Sequence, residues 1–391
     1  MSYIGKTPTS VPLTSSDITD GIITTTKIAD ANVTNPKLIS GSQQNFRNII
    51  INGDMSIAQR ATSVTGNTAG GYTTVDRWNT ILTTAGTYTI SQSTDVPSGS
   101  GFANSMKFDC TTADASLAAG DNMRLQSKFE GQNLQYLKKG TSNAESLTAS
   151  FWVKSVKTGT YILELEDKDN SRTISKSYTI SSANTWEKKT VTFPGDTTGA
   201  FGNDNARSLD VMFWLAAGSN FTSGTLDTSW GSTTTANRAV GQVNLSDSTS
   251  NDWYITGVQL EAGTSASDFE FLPVDINEQR CFRYFYMVGD EDEQGMGTAF
   301  YRSNNSVRFM IEPPFRMRTT PSLDQSTATN SFRVLTSGGG DDLLDDWTIM
   351  SSSTDRFIIV VNTADASGTG GQAGYAIINL ADTHFALTSE L

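Results

Sequence analysis

The stretch Asn48-Ile49-Ile50-Ile51-Asn52-Gly53-Asp54-Met55 decides how the rest of the chain is read. Three consecutive isoleucines make a short β-branched run, and Asn52-Gly53 stops it. That pattern predicts a buried strand ended by a turn in which one residue takes positive φ. Nothing nearby matches such a strand, so its partner is expected far along the chain, near Trp253 to Leu260. The pairing would close one domain of about two hundred residues. The residues before this run read as a stalk, and those after it read as a β body.

Composition supports that division. The chain has 391 residues, 33 of them glycine, with 37% hydrophobic and only 18% charged residues. Its polarity comes from Thr, Ser, Asn and Gly, which favour strands and turns over helices. The formal net charge of −13 argues against nucleic acid, whose phosphates demand Lys and Arg. No run of eighteen apolar residues is present, so no membrane insertion is expected. Met1-Ser-Tyr-Ile-Gly-Lys-Thr-Pro8 has no apolar core or cleavage pattern, so no secretory signal is expected. Two distant cysteines, Cys110 and Cys281, fit folding in a reducing cytoplasm without a disulfide framework.

In residues 1–45, Leu13, Ile18, Ile23, Ile28, Val33 and Leu38 recur every five positions. A helix wants a period of 3.6 and a strand a period of 2, so neither gathers these residues on one face. One chain of this kind buries too little to offset its ordering entropy. Several copies winding about one axis, each turning its apolar column inward, would solve the problem. Fully extended, the segment reaches at most about 150 Å, enough for a spacer. The other reading is a disordered polar leader.

From residue 46 to about 275, short alternating runs are separated by turn signals every 8 to 15 residues or so. The runs are Tyr72 to Trp78, Gly86 to Ser91, Ser105 to Phe108, Ser146 to Val153, Tyr161 to Leu165, Thr173 to Ile180, Trp186 to Phe193, Leu209 to Ala216 and Asp252 to Leu260. This spacing predicts an antiparallel sandwich. Trp78, Trp152, Trp186 and Trp214 fall inside or beside these runs and are expected in the core. Trp230, in Thr228-Ser-Trp-Gly-Ser232, has little apolar sequence around it. An exposed indole there would stack on a sugar ring. Alternatively it folds back as a lid on the sandwich edge or meets a neighbouring subunit.

Several of these segments carry a resemblance: Asn48 to Met55, Asp76-Arg-Trp78, Ser150-Phe-Trp-Val-Lys-Ser155, Asn184-Thr-Trp-Glu-Lys188, and above all Trp253-Tyr-Ile-Thr-Gly-Val-Gln-Leu-Glu-Ala-Gly263. Together they resemble a bacteriophage tail-fibre family. Phe269-Glu-Phe-Leu-Pro273 and Glu278-Gln-Arg-Cys-Phe-Arg-Tyr-Phe-Tyr286 match its continuation, and Ile28-Ala-Asp-Ala-Asn-Val-Thr34 is similar to tail-fibre leaders of marine phages. The resemblance covers most of residues 1–290. It implies a jelly-roll like that of a carbohydrate-binding module, in a homotrimeric virion fibre that binds host surface polysaccharide or lipopolysaccharide. It also implies attachment to other virion tail proteins through the N-terminus, after synthesis in the host cytoplasm. Related sandwiches hold a structural calcium near the ends of the first and last strands, which points to Asp54 and Glu261; no other cofactor is expected.

Residues 276–391 read as a second, smaller β-sandwich. Glu278 to Tyr286 is the best helical or bent segment. Strands are expected at Gly297 to Arg302, Ser306 to Ile311, Ser331 to Leu335, Asp346 to Ser351, Arg356 to Asn362 and Gly374 to Leu380. Pro313-Pro314 and Met317-Arg-Thr-Thr-Pro321 resemble the family's tip sequence. Tyr301, Arg302, Asn304 and Asn305 form an aromatic, cationic and amide cluster suited to hydroxyl groups; the same residues also read as a hairpin turn. Asp290 to Glu293 and the acidic run Asp341 to Asp346 read as solvated turns rather than calcium loops.

Catalysis finds little support. His384 is the sole histidine, so no multi-histidine metal site exists. A Ser-His-Asp arrangement would have to use it, without a Gly-x-Ser-x-Gly elbow. Paired carboxylates for glycoside hydrolysis are a tertiary property, so a glycan depolymerase stays open as an alternative, as does a virion decoration or adaptor protein. The expected architecture is all-β: an N-terminal extended intertwined stalk (1–45), a jelly-roll β-sandwich (46–275) and a smaller C-terminal β-sandwich tip (276–391). The expected role is a non-enzymatic, glycan-binding virion fibre.

Overall fold

Period-two alternation builds the chain into antiparallel sheets. The computed structural model describes residues 46–83, 86–354 and 357–391. The repeat from Leu13 to Leu38, with the stalk inferred from it, lies outside the described residues. Two six-stranded sheets face one another in the first half. One has the order β1 (Ser63–Asn67), β3 (Thr87–Ser93), β4 (Ser105–Thr112), β12 (Asp252–Ala262), β6 (Leu147–Ser155), β9 (Glu187–Phe193). The other has the order β11 (Gly231–Ser232), β8 (Arg172–Ile180), β7 (Gly159–Asp167), β10 (Arg207–Ala217), β5 (Asn122–Glu130), β2 (Asn79–Thr83). This jelly-roll sandwich encloses Phe108, Phe151, Tyr161, Tyr178, Phe213 and Trp253. Each such side chain contributes roughly 1.5–3 kcal/mol by leaving water.

The organising stretch lies where expected but is not a strand. Ile50 and Ile51 are buried, and Ile49 N–H donates to Leu260 O at 2.9 Å. The side-chain amide of Asn48 replaces the rest of the ladder. Its Oδ1 accepts from Ile50 N and Leu260 N, both at 3.0 Å, and its Nδ2 donates to Val258 O at 3.2 Å. Asn52 has the positive φ expected of the turn, 58°. Gly53 sits so close to β12 that a Cβ there would lie 2.0 Å from Val258 O, so any larger residue would push the strand away. Opposite it, β12 bulges between Thr256 and Gln259. The bulge leaves Val258 N–H to donate to Gly53 O at 2.8 Å.

Tyr72 to Trp78, also expected as a strand, is irregular, and β2 begins only after it. Arg77 has φ 71°, which breaks the extended run while still delivering Trp78 to the core.

Pro273, with ψ 143°, sets the start of the helix Val274–Phe282, about a turn earlier than expected. Its end releases Tyr286 into the strand that follows. Beyond it, a three-stranded sheet, β13 (Phe285–Gly289), β22 (Phe385–Thr388), β16 (Ser322–Gln325), packs on a seven-stranded one. The larger sheet runs β18 (Asp341–Leu344), β17 (Phe332–Thr336), β21 (Ala373–Ile378), β14 (Gly295–Ser303), β15 (Ser306–Ile311), β20 (Ile358–Asn362), β19 (Thr348–Ser351). Their shared core is built on Phe309, Phe332, Trp347 and Phe385, with Phe309 and Trp347 edge to face at 4.7 Å.

The two sandwiches are bolted together, and Arg47–Leu391 form one unit. Buried Glu130, at the end of β5, accepts from Arg283 Nε (2.7 Å), Arg283 Nη2 (2.6 Å) and Tyr284 Oη (2.5 Å). Arg77 ion-pairs with Glu390, and its guanidinium stacks 3.4 Å from the Tyr284 ring centroid. Lys128 Nζ donates to Leu391 O at 2.6 Å.

Candidate functional site

Two of the tryptophans expected in the core are not there. Trp78 joins the main core, and Trp214 is buried against the outside of its sheet. Trp152 and Trp186 are half-buried, on the outer face of the first sheet. The reason is strand parity. Phe151 and Val153 point inward, so Trp152 between them points out. Register then sets its neighbours: Thr256 and Lys188 lie opposite Trp152, and Lys154 and Lys107 lie opposite Tyr254.

The result is a platform of two half-buried indoles beside a phenol, Tyr254, that is only 7% exposed, all threaded by charge. Lys154 Nζ sits 4.2 Å from the Tyr254 ring centroid and 5.6 Å from that of Trp186, and it ion-pairs with Asp95. Trp186 Nε1 donates to Asp95 Oδ1 at 3.0 Å, and its ring meets Tyr254 at 6.1 Å. Burial pushes the Asp95 carboxyl up, but the hydrogen bonds from Lys154 and Trp186 outweigh it and hold it below the usual carboxylate range. Burial, with Asp252 nearby, pushes the Tyr254 phenol well above its ordinary value, so it remains a neutral donor. Trp186 and Tyr254 are thus held in place before any ligand arrives. Around them stand Lys107, Asp109, Lys188 and Thr190, which can donate to or accept from hydroxyl groups.

The outer face of the second sheet is filled by the chain itself. Trp214 and Ile162 pack against Ala239, Phe221 and Leu226, and Trp214 Nε1 donates to Glu164 Oε2 at 2.7 Å. Arg238 covers Glu164 (2.7 Å) and Glu166 (2.8 Å). Burial pushes the Glu164 carboxyl up, against the pull of Arg238. Burial also pushes Asp210 up, against its pairing with Arg207.

The residues singled out from sequence fall in separate places. Trp230 packs on the edge of the jelly-roll core, and its Nε1 donates to Pro194 O at 2.8 Å. Lys139 Nζ lies 5.7 Å from its ring centroid. The cleft beside it, lined by Leu137, Lys139, Pro194, Asp196 and Phe201, has a free volume of about 20 Å³, room for little more than one water. This is the edge-lid arrangement. Tyr301 is a correction: it is buried, with Oη donating to Asp342 Oδ2 at 2.7 Å, so it offers no ring to a ligand. Arg302, Asn304 and Asn305 are exposed at the β14–β15 turn, where Asn304 Oδ1 accepts from Gly370 N at 2.9 Å. The five residues therefore form no single site.

Asp54 and Glu261 have separate partners. Asp54 Oδ1 accepts from Ser56 (3.1 Å) and Asn277 (3.2 Å). Glu261 accepts from Gln259 Nε2 (2.9 Å) and from Ser267 N and Oγ (2.8 and 2.7 Å), which leaves little of it for a calcium ion. Among the described residues no group of three His, Cys, Asp or Glu side chains is placed to hold a metal.

His384 does meet a serine and an aspartate: Nδ1 lies 3.2 Å from Ser326 Oγ and Nε2 3.2 Å from Asp324 Oδ1. However, Ser326 Oγ already accepts the backbone N–H of His384 at 3.1 Å. The His384 and Asp324 side chains are 39% and 44% exposed. This is a solvent-washed contact between the ends of β16 and β22.

No family model matches the chain, and no curated protein matches it. Among solved structures, it is similar to the enzymatically active domain of tailspike protein 4 of bacteriophage CBA120. That likeness covers 55% of this chain and 21% of the other, at 15% identity and a TM-score of 0.30. A family 61 carbohydrate-binding module in complex with β-1,4-galactotriose is similar over 55% of this chain and 99% of its own, at 10% identity and a TM-score of 0.30. The family 11 module of a Clostridium thermocellum cellulosomal cellulase covers 52% and 98%, at 11% identity and a TM-score of 0.26. At such scores, what this chain binds has to be read from its own residues.

Proposed function

We propose that this chain is a non-enzymatic structural protein of a virion tail fibre that binds host surface glycan on the outer face of its jelly-roll. The observation that carries the glycan part is the pair of half-buried indoles, Trp152 and Trp186, on the outer face of the first sheet, with Tyr254 and Lys154 buried beside them. A pyranose presents C–H groups on one face, which pack on indole rings. Its hydroxyls reach the surrounding carboxylates, ammonium groups and threonine. Because Asp95 and Lys154 already fix the Trp186 ring, little entropy is lost there on binding. Single contacts of this kind are weak. A homotrimer assembled and attached through residues 1–45 would sum them, with host polysaccharide or lipopolysaccharide as ligand.

The non-enzymatic part rests on two features. Glycoside hydrolysis needs one protonated and one ionised carboxyl around the bond. Of the carboxyls that burial raises among the described residues, Glu164 and Asp210 are capped by arginines, and Asp76 is buried and held by Gln59. The Ser326–His384–Asp324 contact stands in water, where a nucleophile gains little.

The test is calorimetry against host polysaccharide with the wild type, Trp152→Ala and Trp186→Ala, alongside assays for released reducing ends and ester hydrolysis. We expect each substitution to weaken binding about tenfold, the size of one aromatic contact, with no turnover. Wild-type affinity in both variants would discard the platform. Released reducing ends would replace binding with depolymerisation.

A further inference from the structure

We infer that the outer face of the seven-stranded sheet is where copies of this chain meet one another. Along β14 and β15, Tyr301, Val307 and Phe309 point into the core, so Phe300 and Met310 point out. The same parity turns out Tyr375 on β21, Leu343 on β18 and Phe357 beside β20. These five side chains are 42%, 50%, 64%, 43% and 52% exposed, respectively. At about 200 Å² for a fully exposed side chain of this size, they present roughly 500 Å² of apolar surface. Half-buried Leu335, Ile359 and Val361 fill the spaces between them. The register makes the patch continuous: Tyr375 lies opposite Thr298 and Leu335, Phe300 opposite Arg308, and Met310 opposite Ile359. A stable pair of proteins needs about 800 Å² from each partner, and these five apolar side chains alone supply more than half of that.

Charge selects the partner. Each copy carries −13, so two copies repel wherever acidic residues face each other within about a Debye length of 8–10 Å. On the strands of this face the outward charges are Arg302, Arg308 and Arg333, against Asp341, and exposed Glu312 follows β15. Asp341 and Glu293 are both paired with Arg333. Along these strands two copies can approach without acid meeting acid. The contact is face to face rather than edge to edge, because both edge strands, β18 and β19, are only four residues long and β19 is interrupted by a bulge. Beside Tyr375 the sheet carries an open groove of about 390 Å³ lined by Thr298, Leu335, Thr336, Ser337 and Ala373, which a side chain of the second copy would enter.

This meeting face shares only self-association with the proposed fibre; it does not depend on glycan binding. The experiment uses the full chain with Tyr375 replaced by the photoreactive amino acid benzoylphenylalanine. Illumination should yield covalent oligomers whose cross-linked peptides come from residues 295–378 of a second copy. Adding Phe300→Asp and Met310→Asp, both exposed, should reduce that yield more than tenfold while the circular dichroism spectrum stays unchanged. Light scattering on the same samples counts copies, so association through residues 1–45 alone would show as oligomers without this cross-link. That result overturns the inference, as does a cross-link that maps to the jelly-roll of the second copy. If the cross-link fails while the Trp152 platform still binds polysaccharide, only this inference falls.

Discussion

Strands β10, in a six-stranded sheet, and β14, in the seven-stranded one, both have neighbours on each side, and they are buried in different ways. In β10, Ser208 to Ala216 are all buried, because the core takes one face and residues 218–244 cover much of the other. In β14, buried and exposed residues alternate, with Met296, Ala299 and Tyr301 inward and Thr298, Phe300 and Arg302 outward. One sheet has both faces protected by its own chain, while the other has one face bare. The jelly-roll therefore carries what it needs for stability within itself. The C-terminal sandwich has a thinner core and leans on the jelly-roll through Glu130, Arg77 and the chain end.

That difference is most exposed at Glu130. Glu130→Ala removes a buried carboxylate and leaves Arg283 and the Tyr284 hydroxyl without their acceptor. Burial pushes this carboxyl up, yet the hydrogen bonds from Arg283 and Tyr284 hold it below its ordinary value, so the ionised form is the one the fold uses. Breaking a buried pair from one side costs about 3–5 kcal/mol. Trp347 is the one tryptophan of the C-terminal sandwich, so comparing the wild type with Trp347→Phe isolates its fluorescence. In urea, the wild type should unfold in one transition by every probe. Glu130→Ala should lower the Trp347 transition first and separate it from the far-ultraviolet signal. A loss below about 1 kcal/mol, with both probes still coincident, would mean that the C-terminal sandwich does not lean on this contact.

Asp76 tests the same junction through pH. Burial lifts its carboxyl from the usual range to about 6, against Arg60 and the hydrogen bonds from Gln59. Gln59 in turn donates to Phe285 O at 3.0 Å in β13. The folded pKa lies above the unfolded one, so the contribution is fully present below about pH 4 and is lost as pH rises through about 6. Asp76→Asn lacks this titration. Relative to that variant, the wild type should lose up to about 3 kcal/mol between pH 4 and pH 7.5, measured by denaturant midpoints at both pH values. A difference that stays constant with pH would show that Asp76 remains ionised in the fold.

Much of the architecture was legible because alternation is a local signal. The runs at Ser146 to Val153, Thr173 to Ile180 and Asp252 to Leu260 all became strands, and Asn52 took its positive φ. β5 was not among the expected runs although Met123, Leu125 and Phe129 alternate with Arg124, Gln126 and Lys128, and the fold covers these polar residues heavily as well. The three isoleucines misled in the opposite sense, since the Asn48 amide replaced the ladder that a strand would have supplied. The platform was half visible. Phe151 and Val153 share a parity that excludes Trp152 from the core, but whether the other face meets water or a loop depends on residues far along the chain. Tyr301 was lost to the same ambiguity, since choosing the aromatic cluster by residue type ignored which of two neighbouring aromatics faces out.

The neighbouring residues Phe300 and Tyr301 give the finest form of the comparison, because one strand places them on opposite faces. Tyr301→Phe removes only a hydroxyl. Asp342 keeps its hydrogen bonds from Ser367 N (2.9 Å) and Ser367 Oγ (2.6 Å), so no charge is stranded, and the cost should be about 0.5–1.5 kcal/mol. Self-association and polysaccharide binding should not change, since the ring never leaves the core. Phe300→Ser should do the reverse. Its stability cost should stay within about 0.5 kcal/mol in the dissociated chain, while the cross-link from position 375 should weaken severalfold. Denaturation and cross-linking on the two variants in parallel read both faces at once. If Tyr301→Phe altered binding, or Phe300→Ser cost more stability than Tyr301→Phe, the division of β14 into a core face and a meeting face would be wrong.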